Sequence, residues 1–335
     1  MARGLAESCR YVSFAVAARK IYRLRQEERV MSEASKGVAA MVGACLVWGL
    51  SPLYYALLKH VPPLEVLAHR TLWSVMVFGL VLAVQGRLGL VPTLLRGRGF
   101  AVVLFAALMI SANWFLFIFS VQAGHVTEAS LGYYLFPLVA VALGRIAFGE
   151  RLGRARGLAV ALAASAVAGL TWGLGVAPWI ALLIALTFGL YGLVKKRLPA
   201  GPVVSVTAEV AVLAPLAALW LLAVHGGLAA EGGRPGGWFG TDAATSALLA
   251  FSGVLTAGPL ILFSYASRRV TMATLGLTQY LNPTLQFLCA VAVFGEPFGA
   301  WHAAAFGLIW VALALYSGAA WRGERPARRA GIGSG

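Results

Sequence analysis

Long apolar stretches alternate with short polar breaks along most of this chain. Ten such stretches stand out, at about 38–58, 64–84, 100–122, 126–147, 156–174, 177–195, 203–224, 243–265, 270–294 and 301–320. An α-helix needs roughly 20 apolar residues to cross the hydrocarbon core of a bilayer, and each stretch is close to that length. Most connections are short. The exception is 225–242, HGGLAAEGGRPGGWFGTD, whose seven glycines and one proline predict a flexible exposed loop. The pattern predicts an all-α polytopic membrane protein with ten transmembrane helices.

Composition agrees. Of 335 residues, 60% are apolar and 12% charged, where soluble domains run near half and a quarter. Mean hydropathy is +0.82. The net charge of +15 would suggest a nucleic-acid partner in a soluble protein. Here the basic residues sit between apolar segments and at the ends, as in cytoplasmic loops, so no nucleic acid is expected. With the N-terminus inside, 24 of the 27 Lys and Arg residues fall on the inner side and only Lys59 and Arg234 on the outer; Arg70 lies within a segment. The expected location is therefore the inner (plasma) membrane, with both termini cytoplasmic. Residues 1–36 form a basic tail, or a basic interfacial helix, and Met31 is an alternative start. The apolar run Tyr11–Ala18 is short for a signal-peptide core. Residues 322–335 form a second basic tail. Cys9, Cys45 and Cys289 make neither a disulfide framework nor a zinc spacing, and the scattered histidines contain no HExxH. No metal and no cofactor are expected.

Segment 4 reads LGYYLFPLVAVALGRIAFGERL and segment 9 reads LTQYLNPTLQFLCAVAVFGEPF. At a constant offset of 146, Leu131, Tyr134, Leu135, Pro137, Phe148, Gly149 and Glu150 match Leu277, Tyr280, Leu281, Pro283, Phe294, Gly295 and Glu296. The chain thus divides into two five-helix repeats, 37–174 and 175–321. Five is odd, so the second repeat crosses the membrane inverted. Inverted repeats are a transporter architecture with the substrate site where the halves meet.

The stretches KGVAAMVGACLVWGLSPLYYALLKHVPPLEVLAHRTLWS, SANWFLFIFSVQAGHVTEASLGYYLFPL, FGLYGLVKK and QYLNPTLQFLCAVAVFGE closely resemble the RarD-type (chloramphenicol-sensitivity) permeases. These are of the EamA type, in the drug/metabolite transporter superfamily. The resemblance covers roughly 36–320. It implies a ten-helix inner-membrane carrier with an aromatic-lined central cavity and leaves the cargo open. One departure is Phe136, where the family pattern usually has Asn before the proline; Asn282 holds the corresponding second-half place.

Ionisable groups inside a span are functional candidates by default. Glu65, His69 and Trp73 follow i, i+4, i+8, so they share a helical face; they read as a titratable cavity wall or as an outer-interface contact. Arg70 lies beside them. Segment 9 carries Thr274, Thr278, Asn282 and Gln286, each four apart, with Gln279 and Tyr280 adjacent. This stripe reads as a cavity lining or as hydrogen-bond glue between helices. Pro283 interrupts the ladder within it. Trp48, Tyr55, Asn113, Trp114, Tyr134 and Tyr191 complete a set suited to an amphipathic small molecule. Aligning Pro63 with Pro202 places Arg70 and Glu209 seven residues after each proline, on opposite sides of the midplane. They are expected to face a shared cavity and stabilise one another, directly or through substrate, favouring a zwitterion such as an amino acid, or else to snorkel apart. Glu128, Glu150 and Glu296 read as helix-terminus residues. Gly169-Leu-Thr-Trp-Gly173 suits packing within the monomer or a homodimer.

The function these features predict is a secondary transporter of a small amphipathic metabolite or drug, such as an amino acid or a chloramphenicol-like compound. Proton coupling through Glu65, His69 or Glu209 stays open. The competing classes are an intramembrane enzyme and a membrane scaffold. The absence of HExxH, GxSxG, Walker A and prenyl-binding Asp motifs argues against an enzyme. A scaffold would not need a polar stripe through segment 9.

Overall fold

The computed structural model describes residues 33–148, 153–195, 198, 200–229, 236–270 and 272–332. Residues 1–32 with Met31, the Gly149-Glu150 part of the repeat and Arg234 lie outside the described residues. All regular structure among the described residues is helical. The helices are α1 (Glu33–Leu57), α2 (Pro63–Val84), α3 (Leu90–Leu94), α4 (Arg98–Ala123), α5 (Val126–Phe148) and α6 (Arg154–Leu174). They continue with α7 (Trp179–Lys195), α8 (Pro202–His225), α9 (Ala243–Ser267), α10 (Met272–Gln279), α11 (Leu281–Leu288) and α12 (Ala300–Ile332). A π-helical turn, Cys289–Val293, follows α11.

Eight of these helices are long and apolar enough to cross a membrane: α1, α2, α4, α5, α6, α8, α9 and the Ala300–Gly318 part of α12. With α7, an apolar helix of 17 residues, they make this an integral membrane protein. Its exterior is apolar and its polar groups are inside. Met76, Leu80 and Val84 on α2 point outward at i, i+4, i+8, and Leu216, Leu219 and Leu222 on α8 at i, i+3, i+6, while Glu65, Arg70, Asn113, Glu209 and Gln286 are buried.

The ends of the helices follow from local chemistry. Pro63 and Pro202 open α2 and α8, where a missing N–H costs nothing. Asp242 caps α9 by accepting from the Thr245 N–H at 2.7 Å. That bond holds its carboxyl below the usual range. Gly124 closes α4 in the left-handed region, and the His125 N–H returns to the Ser120 carbonyl at 2.7 Å.

Three features depart from the apolar pattern. The five-residue α3 was not expected. The ninth segment is not one helix: α10 stops at Gln279 and α11 restarts at Leu281. Pro283 has no N–H to offer the Gln279 carbonyl one turn back, so the break falls where that bond is missing. The equivalent Pro137 lies inside an unbroken α5. Finally, α12 runs on to Ile332, so the basic C-terminal stretch extends the last helix.

The packing places α2 between α8 and α9, α5 against α7, α4 against α7, and α6 against α12. One apolar core joins α1, α2, α4, α5, α7 and α9 around Tyr55, Phe117 and Ile184; a second joins α5, α6, α7 and α12 around Tyr134, Leu170 and Phe306. A Cβ on Gly173 would lie 2.0 Å from the Trp301 ring, so this glycine serves the α6–α12 contact within one chain; one on Gly169 would meet nothing within 4 Å.

Candidate functional site

Four helices converge on Arg70. Its Nε donates to Thr256 Oγ1 on α9 at 2.9 Å and its Nη1 to Tyr55 Oη on α1 at 2.8 Å. The guanidinium carbon stands 4.1 Å from the centroid of Trp114 on α4, a cation–π distance. Arg70 is 6% exposed and Tyr55 1%. The Tyr55 ring meets Phe117 edge-on at 5.9 Å, and Phe117 meets Tyr133 at 5.9 Å. Next to this lies Asn113, whose Nδ2 donates to the Ile184 carbonyl at 3.0 Å and to Thr187 Oγ1 at 3.2 Å. Its Oδ1 accepts from Tyr133 Oη at 2.9 Å. Asn113 therefore ties α4 to α5 and α7. Trp48 lies further along α1, half-buried and 6.2 Å from Phe263.

Of the two forms expected for the Arg70–Glu209 coupling, direct or through substrate, the direct pairing does not occur. Glu209, 0% exposed, accepts from Lys195 Nζ at 2.5 Å and from Tyr191 Oη at 3.1 Å. Lys195 also reaches Ser205 Oγ and lies 5.1 Å from the Tyr191 ring centroid. The reason is reach: Lys195 ends α7, and its long side chain extends to Ser205 and Glu209 on α8. Sequence reasoning missed this partner by counting Lys195 as a loop charge. The signal was its i, i+4 relation to Tyr191, which puts both on one face.

The Glu65–His69–Trp73 face of α2 packs beneath the segment that precedes α9. Glu65 Oε1 accepts from the Trp238 N–H at 2.6 Å. His69 stacks on Phe239 at 5.0 Å, and Trp73 lies 6.2 Å from the same ring. His69 Nε2 is 4.0 Å from Glu65, too long for a hydrogen bond. This face anchors Trp238 and Phe239 at the end of the glycine-rich loop.

The polar stripe of the ninth segment is largely satisfied at short range. Thr278 Oγ1 donates to the Thr274 carbonyl at 2.8 Å and Gln286 Nε2 to Asn282 Oδ1 at 3.0 Å. Gln286 Oε1 is buried without a hydrogen-bond partner. Tyr134 Oη meets Thr284 Oγ1 at 2.6 Å, which joins α5 to α11. Gln279 is half-buried at the break. Phe136 packs on Phe188 at 4.5 Å, so its place holds an aromatic contact where an amide was expected.

Glu296 has a defined role. Its two carboxylate oxygens accept from the Val126 and Thr127 N–H groups, both at 2.7 Å. Gly295 before it adopts φ +65°, which a side chain would resist, and so turns the chain to aim the carboxylate at the start of α5.

Comparison with known proteins places the chain among transporters. The EamA-like transporter family matches residues 35–172. Protein RarD of Streptomyces exfoliatus is 42% identical, over 89% of this chain and 92% of that protein. An uncharacterized transporter of Pseudomonas aeruginosa is 39% identical, over 87% and 96%. Protein RarD of Escherichia coli is 36% identical, over 84% and 93%. A solved crystal structure superposes with a TM-score of 0.54 at 21% identity, covering 83% of this chain and 96% of that one, which shows a shared fold. Matched over most of its length by such relatives, the chain belongs to the EamA-like transporter family, in its RarD branch.

Proposed function

We propose that the protein is a secondary transporter that moves a small amphipathic molecule by alternating access around the Arg70 site. The observation that carries this reading is a buried, functionalised centre inside an apolar bundle: Arg70, Tyr55, Trp114 and Thr256 come from four helices. A scaffold would not need that charge, and none of the nucleophile–base pairings of an enzyme accompanies it. The relatives named as transporters support the same reading. An amino acid or a chloramphenicol-like compound fits the amphipathic description; one relative in Pseudomonas aeruginosa carries the name chloramphenicol-sensitive protein RarD.

The architecture we propose has ten spans, with α7 and the broken α10–α11 unit added to the eight long helices, arranged as two inverted five-helix repeats. Two contacts support it. The pairs α2–α8 and α6–α12 each join a span to its counterpart in the other repeat, as a two-fold axis between inverted halves requires. Thr256 from the proposed second repeat and Tyr55, Arg70 and Trp114 from the proposed first support a site at their junction. The membrane is the inner one and both termini are cytoplasmic, on the distribution of Lys and Arg. No cofactor is invoked. Glu209 with Lys195 is a candidate proton-coupling pair, and a homodimer through α6 stays a proposal.

Two experiments test this. Purified protein in proteoliposomes, preloaded with a metabolite mixture, will exchange one or more compounds faster than empty liposomes; equal rates for every compound overturn the transport reading. For orientation, single cysteines at 236–240 will react with an impermeant thiol reagent in intact cells, and those at 88–98 only after permeabilisation. The reverse pattern overturns the orientation.

A further inference from the structure

The charge balance around Arg70 deepens the transport reading, on which it rests, by naming a substrate class. A guanidinium stays charged in proteins, and holding it away from water is costly unless an anion pairs with it. Among the described residues, the ion pairs of Lys and Arg lie elsewhere: Lys36 and Arg269 on Glu33, and Lys195 on Glu209. Glu65, five residues before Arg70 on the same helix, is held by the Trp238 N–H. Every group that touches Arg70 is neutral: one threonine hydroxyl, one phenol and one indole face.

Guanidinium has five N–H donors. The bonds to Thr256 and Tyr55 use one on Nε and one on Nη1, which leaves one on Nη1 and both on Nη2. A pair of donors, one from each Nη, is the fork that receives two oxygens of a carboxylate or phosphate. Thr256, Tyr55 and Trp114 hold the plane of that fork from three sides, so little side-chain freedom is left to lose on binding. Glu209, the carboxylate that the sequence offered as a countercharge, is already neutralised by Lys195. Arg70 therefore holds a positive charge that no acid touches among the described residues.

We infer that Arg70 is the receptor for an oxyanion on the transported molecule, and that the substrate is a small amphipathic compound bearing a carboxylate or phosphate-like group. Its apolar body suits the rings of Tyr55, Phe117 and Tyr133. Compounds with an oxyanion are favoured over their neutral counterparts, because only an oxyanion pairs with the buried charge.

The test uses full-length protein and an equimolar set of 3-phenylpropionate, phenylphosphonate, 3-phenylpropanamide and 3-phenylpropylamine. Retention in equilibrium dialysis is read compound by compound. The expected result is that the carboxylate or the phosphonate is retained ~10-fold or more above the amide, the factor one charge-assisted hydrogen bond supplies, and that the amine is not enriched. Arg70→Met brings the acids down to the level of the amide. Arg70→Lys, which keeps the charge and loses the fork, lies between; it carries the test should the Met variant fail to elute as a single species. Equal retention of amide and acids, or no retention of either acid, overturns the inference. Exchange of the same four compounds in proteoliposomes separates the two levels. Exchange of the amide or amine with the acids excluded keeps transport and rejects the anion site. Retention of an acid with no exchange of any compound keeps the site and rejects transport.

Discussion

Lys195→Met will destabilise the protein by about 3–5 kcal/mol, the cost typical of leaving one member of a buried ion pair without its partner. Glu209 is wholly buried and its carboxylate would keep only the Tyr191 hydroxyl. Protonation of Glu209 relieves part of that cost, which sets the lower end of the range. Glu209→Gln will cost less. The Lys195 side chain is 21% exposed, so its ammonium can swing toward the membrane surface on its long stem. The double variant will recover much of the Lys195→Met loss. Unfolding midpoints in mixed micelles, measured for both single variants and the double, give the coupling energy. The companion cycle of Arg70→Met with Glu209→Gln is expected to be additive in stability to within about 0.5 kcal/mol, since the two groups share no partner. Strong coupling in that second cycle, and none in the first, would contradict the pairing described here.

Glu296→Ala will cost about 2–3 kcal/mol, and Glu296→Gln roughly half of that. The carboxylate makes two charge-assisted hydrogen bonds to the first two amides of α5, each stronger than a neutral bond, and it sits at the positive end of the helix dipole. Gln keeps one acceptor oxygen and loses the charge. Alanine leaves two amides without a protein partner. The unfolding midpoint of both variants checks this. An alanine variant as stable as the parent would show that water or a neighbouring group satisfies those amides without Glu296.

Much of this was legible from the apolar pattern because a membrane span has a minimum length. The stretch at 64–84 became Pro63–Val84, and that at 203–224 became Pro202–His225. The five residues of α3 lie in a mixed stretch too short for such a signal. Two prolines at matched positions behaved differently, since only the one at Pro283 accompanies a break. Both lie beside a close glycine contact, Gly49 with Leu285 past Pro283 and Gly189 with Val139 past Pro137, so nothing in the structure explains why only one breaks its helix.

Charged residues were legible as candidates but not as pairs. Arg70 and Glu209 were identifiable because an ionisable group within an apolar run is rare. Their partners depend on which helix turns meet in space. Tyr55 lies 15 positions before Arg70 and Thr256 lies 186 after it, and neither spacing carries a helical period. Glu296 was readable as a helix-terminus group from its Phe-Gly-Glu setting. That its target is α5, 170 residues earlier, was not.

Alternating access around Arg70 is tested most directly by a cysteine placed at Thr256, in a background with Cys9, Cys45 and Cys289 replaced. Thr256 touches the guanidinium and is 4% exposed in this structure, so reagent reaches it only when the bundle opens. Impermeant thiol reagent is applied separately to right-side-out and inside-out vesicles. The account predicts labelling from both sides, slowed on each side by a transported compound. Labelling from one side only, at a rate no compound changes, would contradict it.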